Sequence, residues 1–84
     1  METISYETED GGRLVHRYTI GDWQVEIASA YEAVADNWPL HVYAARGRAP
    51  LRSDAIGYKQ RSCGLQSAFL LGRTIAQSHI EANQ

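Results

Sequence analysis

Cysteine is nearly absent from this chain, and so is any long apolar run. The single cysteine, Cys63, excludes an intrachain disulfide and suits a reducing compartment, so a cytoplasmic location is expected. Apolar runs such as residues 68–71 fall far short of the ~20 residues a membrane span needs. The opening Met1-Glu2-Thr3 lacks the basic and apolar regions of a secretory signal, which predicts neither membrane insertion nor export by that route. Internal repeats and low-complexity tracts are also missing.

What is present suffices for one core. A chain of 84 residues buries only about 60–65% of its unfolded surface, so residues 1–84 are expected to form a single small globular domain without linker or tail. Eleven of the apolar residues are alanine, which leaves the core to two Trp, five Tyr, Phe69 and a modest set of Ile, Leu and Val.

Charge is divided along the chain. Residues 1–36 carry eight acids and two bases, while residues 46–73 carry six bases and one acid, although the net charge is only −2. Such an asymmetry points to a charged partner or to two mutually attracting faces.

Period-2 alternation dominates the first third and predicts a meander over 2–9, 13–20 and 23–29. Directly paired residues must share a face, which fixes the register: a three-residue Asp10-Gly11-Gly12 loop pairs Thr8 with Leu14, and a two-residue Gly21-Asp22 loop pairs Ile20 with Trp23. Leu14, His16, Tyr18, Ile20, Trp23, Val25 and Ile27 then share the inner face. The other face is expected to be solvated, with Arg17 opposite Glu26 as a cross-strand ion pair contributing only ~0.2–1 kcal/mol.

Beyond the meander the pattern changes several times. Residues 29–39 read two ways: Ser29-Ala30-Tyr31-Glu32 has capping-box spacing, while Ser29 and Tyr31 also continue the period-2 pattern of the strand before them; a short helix is the favoured expectation, ended by Asn37-Trp38-Pro39. Residues 40–45 alternate again and predict a fourth strand. Residues 46–62 have no clean period and read as a long, basic binding loop, with a turn of helix after Ser53-Asp54. Residues 62–81 are periodic at helical spacing and carry a small-residue track of Ala68, Gly72 and Ala76, which permits close approach to the sheet. The expected fold is α+β: an antiparallel sheet of three or four strands with a C-terminal helix packed on one face.

Reactive chemistry finds little support. The histidines at 16, 41 and 79 have no ligand spacing on one helical face, so no metal site and no cofactor are expected. Cys63 and His79 would be separated by roughly 24 Å along a helix, too far for a dyad. A non-enzymatic role is therefore expected.

Two binding readings remain. The first is a small inhibitor or adaptor that docks on a larger protein, one that handles nucleic acid; phage- or plasmid-encoded inhibitors of host defence, such as anti-CRISPR proteins, share this size and charge character and nothing more specific. The second is direct DNA or RNA binding by residues 46–61, where Arg46, Arg48, Arg52, Lys59 and Arg61 offer charge and Tyr58 a stacking plane. The overall pI near 5.8 argues against the second. Glu7 and Glu26 on the acidic half, with the outward Tyr43 and Leu70, complete the candidate contact residues. An exposed edge strand and Leu70 also leave room for a homodimer.

Overall fold

The computed structural model describes residues 3–52, 55–59 and 64–83. Five antiparallel strands, β1 (Glu7–Thr8), β2 (Leu14–Ile20), β3 (Trp23–Ser29), β4 (Leu40–Arg46) and β5 (Gly57–Lys59), form one sheet in the order β1-β2-β3-β4-β5. A single helix, α1 (Leu65–Ala82), covers one face and packs on β3, β4 and β5. The α+β architecture follows from the alternation and the terminal helical period, and both predicted hairpin registers occur, Thr8 with Leu14 and Ile20 with Trp23. The left-handed glycines that these turns require are Gly11 at φ 90°, Gly12 at 83° and Gly21 at 58°.

Burial on the inner face drives the assembly. Val25, Ile27, Leu40, Val42, Phe69 and Ile80 are wholly or almost wholly buried, and Phe69 carries the tilted rings of Tyr6 and His16 at 5.8 and 5.9 Å. The helix approaches closely because two glycines allow it. A Cβ on Gly72 would stand 2.6 Å from Ile27 Cγ2, and one on Gly57 would stand 2.4 Å from Ile75 Cγ2. His16, inward as expected, donates from Nδ1 to the Ser5 carbonyl at 2.8 Å and stacks on Tyr18. Its Nε2 is buried without a partner among the described residues. Protonation there would bury an unsatisfied N–H, and burial accordingly lowers the His16 pKa below its usual value.

Four expectations need correction. The first strand is two residues long and does not include residues 3–6, where Gln66 of α1 holds the backbone instead. The Ile4 N–H donates to Gln66 Oε1 at 2.8 Å, and Gln66 Nε2 donates to the Ile4 carbonyl at 3.0 Å. No helix forms after Ser29. The chain instead continues as an extended arm closed by paired backbone hydrogen bonds between Glu32 and Asn37, at 2.9 and 3.3 Å. Tyr31 packs on Trp38 at 5.3 Å and donates to Asp36 Oδ1 at 2.5 Å, contacts across the arm that replace those along a helix.

The stretch read as a long loop holds the fifth strand, with Ile56 N–H donating to the Val42 carbonyl at 2.8 Å where β5 joins β4. Finally, α1 begins at Leu65 after an extended Gly64 and ends at Ala82, capped by Asn83, whose side-chain amide donates to the His79 carbonyl at 2.8 Å. The predicted turn at Ser53-Asp54 and the predicted helix start at residues 62 and 63 lie outside the described residues. No helix among the described residues is long and apolar enough to cross a membrane.

The glycine contacts generate a test. Gly72→Ala gains about 1 kcal/mol of helix propensity but forces its methyl against the fully buried Ile27, and overpacking of this kind costs roughly 1–3 kcal/mol. Urea denaturation is expected to show a net loss of stability; a gain would mean that the helix does not pack this closely.

Candidate functional site

On the sheet face opposite α1, the register aligns charged groups across three strands. Arg17 of β2 lies directly opposite Glu26 of β3, and Glu26 lies opposite Tyr43 of β4. Arg17 donates from Nε to Glu26 Oε1 at 2.8 Å, from Nη1 to Glu7 Oε2 at 2.9 Å and from Nη2 to Glu9 Oε2 at 2.8 Å. Arg52 approaches from the β4–β5 connection. Its Nη2 donates to Glu9 Oε2 at 2.8 Å and to Glu26 Oε1 at 2.7 Å, and its Nε donates to Glu26 Oε2.

The two guanidinium groups enclose Glu26, which is 1% exposed, while the arginine side chains remain 43% and 41% exposed. A buried carboxylate is tolerated only when its oxygens are hydrogen-bonded, and here both are. This corrects the expectation of a solvated face with one weak ion pair. Val15, Ala28 and Ala45 on the same face are also buried. Glu26 is therefore held inside the cluster by both arginines.

Electrostatics follow the same geometry. The Arg52 hydrogen bond holds the Glu9 carboxyl below its ordinary value, with the charges of Arg52 and Arg17 adding to the effect against desolvation. Arg52 is raised by hydrogen bonds to Glu26 and then Glu9, and Arg17 first by its hydrogen bond to Glu26. At the far end of the sheet, Arg46 donates to Asp22 at 2.9 Å, lowering that carboxyl, and lies over the Trp23 ring at 5.9 Å. Gly47 N–H donates to the Asp22 carbonyl at 3.0 Å, so the basic connection leaves β4 already tied to the β2–β3 turn.

Beside the ionic cluster lies a row of rings. Tyr58 of β5 pairs directly with His41 of β4, their rings 4.7 Å apart, and His41 lies 6.3 Å from Tyr43 at an interplanar angle of 14°. Arg13 extends the row, its guanidinium carbon 5.7 Å from the Tyr43 ring centre and its Nη2 donating to the Tyr43 hydroxyl at 3.0 Å. Burial, and then the Arg13 charge, lower the His41 pKa, so this imidazole favours its neutral, stacking form. Tyr58 is 54% exposed, the most accessible ring of the row.

The candidate contact residues thus separate. Glu7, Glu26, Tyr43, Arg52 and Tyr58 meet on the outer face. Arg46 is paired at the sheet end, and Arg48 and Lys59 are exposed on the turn after β4 and on β5. Leu70 stands on the opposite layer, and Arg61 and Cys63 lie outside the described residues. Sequence reasoning missed Arg13 and His41. Their signal was the register itself, since Arg13, Val15 and Arg17 share a face with Glu26, His41 and Tyr43. In comparisons with family models, curated proteins and solved structures, none matches this chain.

Two outcomes test the cluster. Glu26→Gln keeps the shape but removes the charge that both arginines bind, and is expected to cost roughly 2–3 kcal/mol in chemical denaturation, well above the effect of an isolated surface pair. Glu9 and Asp22 have depressed values in the folded chain, so their contribution is present above their ordinary 4.5 and 3.8 and is lost as pH falls through the folded values. Melting midpoints should fall on acidification below about pH 4.5, and less steeply for Arg52→Ala, which removes the main cause of the Glu9 shift.

Proposed function

We propose that this chain is a non-enzymatic binding domain that docks on a larger protein through the outer face of its sheet, acting as an inhibitor or adaptor. The observation that carries this reading is the continuous row Tyr58, His41, Tyr43 and Arg13, set beside a charge cluster that holds its own side chains in place. Tyrosine and arginine dominate the energetics of protein interfaces because they present large rigid area with a polar handle. A row already fixed by stacking loses little side-chain entropy on contact. Asp10 is exposed at the first turn and Glu32 on the arm; these acids suit a basic groove, as on a partner that itself handles nucleic acid.

A second reading, direct DNA or RNA binding, is favoured by the same row as a base-stacking platform on an open sheet. The charge arrangement supports it less. Arg17, Arg46 and Arg52 are engaged by Glu7, Glu9, Glu26 and Asp22, so these three guanidinium groups already have carboxylate partners within the molecule.

The two readings separate in two assays with the same variants. Protein docking predicts a pull-down partner lost on Tyr58→Ala with unchanged melting temperature, a hot-spot truncation of this kind costing about 2 kcal/mol of binding. It also predicts no mobility shift of single-stranded DNA or RNA. A shift that falls steeply with salt and weakens on Arg48→Ala and Tyr58→Ala would establish the nucleic-acid reading instead.

A further inference from the structure

A second surface lies on the other layer, away from the outer-face row. β1 pairs with β2 only at Leu14 and Val15, and Gln66 then draws the chain before β1 off the sheet. Residues 18–20 of β2 consequently have no strand on that side among the described residues. The Glu9 N–H donates to the Arg13 carbonyl at 2.7 Å, which makes residues 9 and 13 a hydrogen-bonded pair. Antiparallel alternation carries this to every second residue of β2, so Thr19 directs its N–H and C=O toward the open edge, while Tyr18 and Ile20 direct theirs toward β3.

The open edge borders a cleft of about 590 Å³, its floor Tyr18, Thr19 and Ile20 and its wall Leu70, Arg73 and Gln77 of α1. Leu70 is 52% exposed there. Arg73 lies over the Tyr18 ring at 5.3 Å and makes no ion pair among the described residues, and the cleft lining contains no acid. The site thus combines unpaired strand backbone, an apolar contact and one cation without a carboxylate.

We propose that this cleft is a strand-addition site for an extended internal segment of a protein partner. The segment pairs its backbone with Thr19, seats an apolar side chain against Leu70 and Ile20, and presents an Asp or Glu two residues away to Arg73. The spacing fits. Alternate residues of an added strand stand ~6.8 Å apart on one face, and Leu70 and Arg73 are separated by three helical residues, ~4.5 Å of rise, with the long arginine spanning the difference. Backbone pairing supplies affinity and the two side chains supply selectivity. The inference rests on the reading of the chain as a protein-binding domain, but it places recognition at a different surface.

Selection of a phage-displayed library of twelve-residue peptides on the intact chain, followed by anisotropy with the synthetic peptides recovered, tests it. The expected peptides carry an apolar residue and an acid at i and i+2. Their binding should weaken at least tenfold on Arg73→Glu and on Leu70→Asp, both exposed positions, and be unaffected by Tyr58→Ala. Backbone N-methylation of the peptide residue facing Thr19 should abolish binding, and the Thr19 amide should gain protection from hydrogen exchange in the complex.

Peptides that depend on Tyr58 and ignore Arg73 would overturn the cleft while leaving protein docking on the outer face intact. Recovery of no peptide, or binding that requires a free C-terminal carboxylate, would overturn the internal-segment proposal. So would a dimer by light scattering that Arg73→Glu converts to monomer, since the occupant would then be a second copy.

Discussion

The buried Glu26 carboxylate is the constraint on which the outer half of this molecule depends. It sits on the central strand of the sheet, on the face that has no helix, and is shielded from water only because Arg17 and Arg52 close over it. Arg17 is local, fixed by the β2–β3 register. Arg52 is remote, and its side chain crosses β3 to reach Glu26 and Glu9. One arginine of the stretch that reads as a binding loop thereby becomes part of the fold. The cluster exchanges a desolvation cost for geometric definition, since two planar guanidinium forks accept few arrangements around shared carboxylates.

The inner half depends on close approach. Gly72 and Gly57 let α1 settle against Ile27 and bring Ile75 against β5, and this proximity also places Gln66 within reach of Ile4. One amide then satisfies both backbone groups of a residue that has left its strand. Shortening of β1, exposure of the β2 edge and opening of the cleft beside Leu70 follow from that hydrogen-bond pair. An edge strand left open in this way is a liability that proteins usually cover, which is why its exposure beside a shaped cleft carries functional weight.

Charge separation along the chain is therefore partly closed within the fold. Asp22 holds Arg46, and Glu9 and Glu26 hold Arg52, and beside these pairs lie an aromatic row on one layer and a monocationic cleft on the other. Both suit recognition of protein by shape and a few placed polar groups.

Most of the sheet was legible in the residues themselves. Alternation fixed which side chains face inward, and same-face pairing at Gly11-Gly12 and Gly21-Asp22 fixed both registers, because a slip by one residue would turn every apolar side chain to water. The helix was legible from its apolar arc, and the small-residue track correctly implied close packing. Tertiary structure alone decided that Gln66 would end β1, that Arg52 would cross the sheet to Glu26, that residues 57–59 would add a strand, and that cross-arm contacts would win over a local helix after Ser29. Each of these outcomes joins groups far apart in sequence, or sets a local propensity against a contact available only once the sheet exists. Local patterns contain no term for such partners, so the elements could be read from the chain while the surfaces they present could not.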